Sequence, residues 1–268
     1  MNTNIAEVSG VQGIDLARAN DPFYPRFWPE RLKKLGYCEA RIPDKYQPKQ
    51  RGIFCCDMSD LFGIGVPEDW TSQVLKAIKG CYRDRFYLLT KQPQNLVKFS
   101  PFPDNAWVGI SVTNRQQLKV AREVFSNPIS HKLGIRAKVK YMSIEPLLDS
   151  IVCNHVWRTE FEGGVFSRNR TMPITKCSIC GDTRPWGIDN IFTDGEGKPL
   201  LDWLIIGSQT KPYNPPKIEW VKEIVEAADK VGVPVFLKDN LKQLIYGQKE
   251  EFYGPHGVMT LRQEMPDG

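Results

Sequence analysis

The sequence predicts an α/β protein built from parallel βα units, as a closed or partly open (β/α) barrel, with a doubly wound open sheet as the alternative. Three observations predict it. Short apolar runs recur along the chain, and each stops abruptly at polar residues. Stretches with helical hydrophobic spacing lie between those runs. No G-x-G-x-x-G sequence follows any run, which weakens a dinucleotide-binding sheet.

The pattern is set by Gly52–Trp70. Here the run Ile53-Phe54-Cys55-Cys56 ends in Asp57, Ser59 and Asp60, and Pro67-Glu68-Asp69 opens a helix. Such a run reads as a strand buried on both faces, with its chemistry at the carboxyl end. Before it, Ile14–Ala19 suits a short helix, and Phe23, Tyr24, Phe27 and Trp28 form an aromatic cluster expected to pack on the body of the protein. After Ile53–Met58, a helix is expected over Glu68–Ile78, because Trp70, Val74, Leu75 and Ile78 share a face. Strand Phe86–Leu89 ends in Thr90-Lys91, and Gln94–Phe99 makes a short helix. Strand Trp107–Val112 leads through Thr113-Asn114 to helix Gln116–Phe125. Strand Val139–Ile144 ends at Glu145-Pro146, and Trp203–Ile206 ends at Gly207-Ser208-Gln209-Thr210. Helix Ile218–Ala228 precedes strand Val233–Leu237, which ends in Lys238-Asp239-Asn240.

Composition places the chain among ordinary globular proteins. It has 268 residues, 41% hydrophobic and 25% charged, enough to bury a sizeable core. A net charge of +5 and a pI near 8.7 permit a phosphate-bearing partner without requiring one. The polar N-terminus and the lack of a long apolar run predict no membrane association and a cytoplasmic location. Seven cysteines, an odd number, argue against a secreted disulfide framework.

The spacing between strands nearly doubles between Glu145 and Trp203, as an inserted module would make it. The expected boundaries are 1–148 for the first part of the barrel, 149–200 for the insertion and 201–268 for the last part. The insertion carries Cys153 and His155, then Cys177 and Cys180 followed by Gly181. Two pairs of soft or borderline ligands match a closed, structural tetrahedral Zn²⁺ site. A segment this polar lacks a core of its own and gains most from a metal staple. Trp157 and Trp186 stand among Arg158, Arg168, Arg170 and Arg184, an aromatic and basic mixture suited to a nucleic-acid contact, although a solvated face with packed tryptophans has the same composition. Cys55 and Cys56, as strand neighbours, are expected to point to opposite faces and to behave as small hydrophobes, as are Cys38 and Cys81.

Strands closing into a barrel would bring their carboxyl ends to one mouth. Asp57, Lys91, Ser111, Thr113, Glu145, Gln209 and Lys238 are the candidate ligand-binding residues there. The lysines suit a carboxylate or phosphate, and Glu145 suits an amino group or ribose hydroxyl, so the mouth fits a charged, nucleoside-like molecule. The competing expectation is that many of these polar residues merely cap the following helices.

The ordered blocks FWPERL (27–32), CDMSDLFG (56–63), LLTKQPQ (88–94), WVGISVTN (107–114), SIEPLL (143–148), WLIIGSQT (203–210), VFLKDNL (235–241) and LRQEMP (261–266) resemble the phage-associated three-cysteine-motif family, a radical-SAM-like domain of unknown function. The resemblance implies a partial (β/α) barrel of the TIM or radical-SAM type. It also implies a [4Fe–4S] cluster, S-adenosylmethionine at the strand ends, radical chemistry on a nucleic acid or nucleotide, and a three-Cys-motif partner protein. The family's C-x3-C-x2-C-Y segment belongs before FWPERL, yet residues 1–26 contain no cysteine. Three thiolates hold such a cluster, so the expectation is a truncated or degenerate member with impaired activity. The alternative is a non-enzymatic nucleic-acid or protein-binding module that uses the zinc insertion.

Overall fold

The structure, a computed structural model, describes residues 25–35, 49–56, 59–126, 134–152, 157–160, 174–177, 183–184, 191–194, 197–246, 252–254 and 260–266. The expected helix Ile14–Ala19 lies outside these residues, as do Asp57, Cys153, His155 and Cys180. The chain divides into two compact units. One comprises Met1–Ser111 with Glu123–Ser143, the other Val112–Arg122 with Ile144–Asp267.

The architecture is mixed α/β. Strands β1 (Gly52–Cys55), β2 (Arg85–Thr90), β3 (Ala106–Ser111), β4 (Val139–Ile144), β8 (Trp203–Ile206) and β11 (Val235–Leu237) form one sheet in the order β1-β2-β3-β4-β8-β11. The registers β1–β2, β2–β3, β3–β4 and β8–β11 are all parallel, as βα units demand. Helices α1 (Pro29–Leu35), α2 (Glu68–Gly80), α3 (Arg115–Phe125), α4 (Ile218–Asp229) and α5 (Lys242–Ile245) lie between or beside the strands in sequence. The expected helix after β2 is a 3-10 helix, Pro93–Phe99. Within the expected insertion, β5 (Trp157–Glu160), β6 (Ile174–Cys177) and β7 (Thr183–Arg184) make a separate three-stranded antiparallel sheet. A two-residue hairpin pairs β9 (Gln209–Thr210) with β10 (Tyr213–Asn214). No helix among the described residues is long and apolar enough to cross a membrane.

In the N-terminal unit, α2 buries Trp70, Val74, Leu75 and Ile78 as its spacing predicts. Phe27 stacks on Trp70 with ring centroids 5.3 Å apart, which packs Phe27 onto α2; Phe23 and Tyr24 of the expected aromatic cluster lie outside the described residues. β3 is buried at every position. β1 differs from expectation: it stands at an end of the strand order and alternates between exposed and half-buried, with Phe54 48% exposed. A terminal strand has a neighbour on one side only, so an apolar run does not guarantee burial there.

One close approach shapes the centre of this unit. The Tyr141 ring lies across Gly109, where an added Cβ would come within 2.2 Å of Cζ. Its hydroxyl donates to the Leu88 carbonyl at 3.0 Å, so β2, β3 and β4 are tied by one side chain. Burial, with Tyr87 nearby, pushes the Tyr141 phenol well above its ordinary range and keeps it a donor.

In the C-terminal unit, α4 buries Val221, Ile224, Val225, Ala227 and Ala228. The LRQEMP segment runs along β11: Leu237 N–H donates to the Arg262 carbonyl, and Glu264 N–H to the Val235 carbonyl. Its side chains add to the seam. Glu264 Oε2 accepts from the Val235 amide at 2.8 Å, and Arg262 pairs with Asp229 and Glu264. This segment covers the backbone donors and acceptors that a terminal strand otherwise leaves open.

Gly109→Ala is expected to cost about 1–3 kcal/mol or more by overpacking, and Tyr141→Phe about 1 kcal/mol for the lost hydrogen bond. Urea unfolding of Gly109→Ala, Tyr141→Leu and the double variant checks the contact. The double variant should lose clearly less than the sum of the singles, whereas simple additivity would contradict it.

Candidate functional site

The polar strand ends resolve into two networks, one in each unit. In the N-terminal unit, Asp60 leads the loop after β1. Its Oδ1 accepts from the Phe62 amide at 3.0 Å, and Oδ2 accepts from Thr90 Oγ1 at 2.9 Å and the Lys91 amide at 2.8 Å. Thr90 Oγ1 in turn accepts from the Gln92 amide. This network uses the Lys91 backbone and leaves its side chain exposed. It is a loop brace: one carboxylate satisfies amides that the end of β2 leaves unpaired. Ser111 is buried in β3 opposite Ser143 of β4, inside the sheet.

In the C-terminal unit, Thr113 and Asn114 cap α3. Asn114 Oδ1 accepts from the Gln117 amide at 3.0 Å, and Gln117 Oε1 accepts from the Thr113 amide and hydroxyl at 2.7 and 2.9 Å. That is the reciprocal logic of a capping box, so Thr113 serves the helix end. Gln209 enters the β9–β10 hairpin opposite Asn214.

The remaining strand ends of this unit meet at Glu145. Backbone bonds draw them together: Gly207 N–H donates to the Ile144 carbonyl, Leu147 N–H to the Gly207 carbonyl, and Lys238 N–H to the Ile206 carbonyl. The Glu145–Pro146 peptide is cis. The Glu145 carboxylate lies directly over Gly207, where a Cβ would come within 2.7 Å of Oε1. Only glycine permits that approach. Lys238 Nζ donates to Oε2 at 2.6 Å and Asn240 Nδ2 to Oε1 at 2.9 Å. Asn240 is itself locked, because Nδ2 also donates to the Ser208 carbonyl and Oδ1 accepts from the Ser208 amide. Ser208 Oγ donates to the Asn240 carbonyl at 2.8 Å.

This cluster has the build of a binding site. Ser208 is buried, while the side chains of Glu145 and Lys238 are 24% and 42% exposed. An ion pair that open to water adds little stability, about 1 kcal/mol or less, yet Asn240, Ser208 and Gly207 hold its carboxylate in one geometry. The ammonium keeps two further donors and the carboxylate further lone pairs, so positive and negative groups with unused hydrogen-bonding capacity stand side by side. Glu145 and Lys238 were legible as strand-end charges. Ser208 and Asn240, which orient Glu145, were legible as polar strand-end residues but not in that role.

The metal ligands predicted in the insertion lie outside the described residues, except that Cys177 is described by its backbone as the last residue of β6. Register places Cys177 opposite Trp157, the first residue of β5. Among the described residues no group of three or more His, Cys, Asp or Glu side chains is placed to hold a metal ion.

Asn240→Ala removes donors and acceptors for both Glu145 and Ser208 and is expected to cost about 2–3 kcal/mol in urea unfolding. Asn240→Asp should cost more, since a second carboxylate would face Glu145. A loss of under about 0.5 kcal/mol for Asn240→Ala, the range of a plain surface change, would show that the cluster is not held as described.

No curated protein and no solved structure matches the chain. One family profile does, over residues 20–250, and it is described as "Protein of unknown function (DUF5131)". The chain therefore belongs to the DUF5131 family of proteins of unknown function.

Proposed function

We propose that this protein is a radical-SAM-like partial barrel of the phage-associated type, derived from an enzyme of radical chemistry on a nucleic acid or nucleotide. Its retained function is binding of a zwitterionic nucleoside such as S-adenosylmethionine at the ends of β4, β8 and β11. The observation that carries the reading is the Glu145–Lys238 pair, 2.6 Å apart and part-exposed at the carboxyl ends of parallel strands. A zwitterion can exchange that one ion pair for two, its ammonium against Glu145 and its carboxylate against Lys238. Asn240 and Gly207 keep the carboxylate in place while this happens.

The residues present do not fit a [4Fe–4S] cluster. The sequence has no C-x3-C-x2-C run, and among the described residues Cys81 is fully buried while Cys55 and Cys56 are only a pair. No reaction step is therefore assigned through a cluster. Equilibrium dialysis with labelled S-adenosylmethionine tests the binding. Glu145→Ala and Lys238→Ala should each weaken it roughly ten- to hundredfold, the worth of one charge-assisted hydrogen bond. Methionine should compete and adenosine should not, if the amino-acid end occupies the pair. Binding indifferent to both substitutions, or no binding, refutes the proposal.

A second reading, a zinc-stapled nucleic-acid or protein contact, is favoured by the small antiparallel sheet. Its register sets Trp157, the start of β5, opposite Cys177, the end of β6, and in sequence Cys153 and His155 come just before β5 and Cys180 just after β6. The register also sets Arg158 directly opposite Lys176. Metal analysis of the purified chain should find one Zn²⁺, lost in Cys180→Ala. Binding to a single-stranded oligonucleotide should weaken with added salt and with Arg158→Ala. A metal-free chain that keeps its fold would remove this reading.

A further inference from the structure

Where β1 ends, the chain does something its sequence does not announce. Cys55 is the last strand residue, and Cys56 adopts φ 59, the left-handed region that non-glycine residues rarely enter. In a continuing strand the two side chains would part to opposite faces. The turn instead brings their sulfurs to 3.8 Å. Both residues are half-buried, so the pair is neither sealed in the core nor loose on the surface. Cys81, the other cysteine whose surroundings are described, is fully buried.

We propose that Cys55 and Cys56 form a vicinal dithiol that is reversibly oxidised by low-molecular-weight disulfides, a modification site at the carboxyl end of β1. The pair has an order of attack. The Cys55 thiol is pushed far up, first by its hydrogen bond with Cys56 and then by burial and the charge of Cys56. Cys55 is therefore the less ready of the two to ionise, and the first attack falls to Cys56. Cys56 loses its proton to solvent and attacks one sulfur of the reagent, the reagent's S–S bond breaks, and one small thiolate leaves. Cys55 then attacks Cys56 Sγ, its proton passing to solvent, and the second small thiolate departs. The protein dithiol has lost two electrons and the reagent disulfide has gained them.

The product would be a labile switch. Adjacent residues have Cα atoms about 3.8 Å apart, closer than the roughly 4.4–6.8 Å usual for disulfides. A bridge there is strained and readily reduced. Its closure would alter the turn in which the Cys56 carbonyl accepts from the Ser59 amide at 3.0 Å, just ahead of the Asp60 brace. The proposal stands apart from the ligand site at Glu145 and survives or fails independently of it.

Tryptic mapping of the full native chain tests it cleanly. Cleavage after Arg51 and Lys76 gives a peptide of residues 52–76 whose only cysteines are Cys55 and Cys56. After treatment with oxidised glutathione and blocking with N-ethylmaleimide, this peptide should be two hydrogens lighter and free of maleimide. Prior reduction with dithiothreitol should return it with two maleimides. In Cys55→Ser, Cys56 should instead carry glutathione. On the reduced native chain, limiting N-ethylmaleimide should place its first label on Cys56, read from fragment ions of the same peptide. Two maleimides or two glutathiones on the oxidised native peptide, or a bridge to another cysteine, overturns the proposal. Equal first labelling of Cys55 and Cys56 in the native chain overturns the order of attack.

Discussion

The carboxylate of Glu145 sits over the bare backbone of Gly207 with Lys238 on one oxygen and Asn240 on the other, and the carboxyl edge of the C-terminal unit depends on that contact. Strands β4, β8 and β11 end together because Gly207 N–H donates to the Ile144 carbonyl and Lys238 N–H to the Ile206 carbonyl. The side-chain network then fixes what this edge presents. Asn240 cannot rotate without breaking its bonds to Ser208, Glu145 cannot move without losing Asn240, and Lys238 follows Glu145. A part-exposed ion pair contributes little to folding. The arrangement makes physical sense as preorganisation, with a charged pair positioned before a ligand arrives.

The two units use polar strand ends for different purposes. In the N-terminal unit Asp60 spends both oxygens on amides and on the Thr90 hydroxyl of its own loops, and it holds the chain where β1 and β2 finish. Its geometry is closed by local need. In the C-terminal unit the carboxylate is met by side-chain donors that themselves remain part-exposed. The difference separates a brace from a candidate site even though both begin as an acidic residue just beyond an apolar run.

The seam formed by residues 261–266 shows a third use of polarity. Leu237 and Glu264 donate along the backbone, while Arg262, its side chain 16% exposed, bridges Asp229 and Glu264. Hydrogen bonds to both carboxylates hold Arg262 charged against the opposing pull of desolvation. A segment that reads as a polar tail thereby finishes the sheet at β11, and the charges are there to close an edge.

The order of strands and helices was legible because it depends on short-range pattern. Apolar runs of strand length alternate with helical spacing, and β2, β3, β4, β8, α2, α3 and α4 appear within a few residues of the expected bounds. Helix capping by Asn114 and Gln117 was equally local. Which strand ends become a site was decided only by tertiary structure, since Glu145 meets Lys238 and Asn240 across 93 and 95 residues of chain. No periodicity carries such a distance. The same limit explains β1, whose apolar run predicts burial although its place at the end of the sheet exposes Phe54. It explains the paired thiols too. Strand alternation sends Cys55 and Cys56 apart, but the strand stops between them, and a single left-handed residue turns two separate hydrophobes into one dithiol.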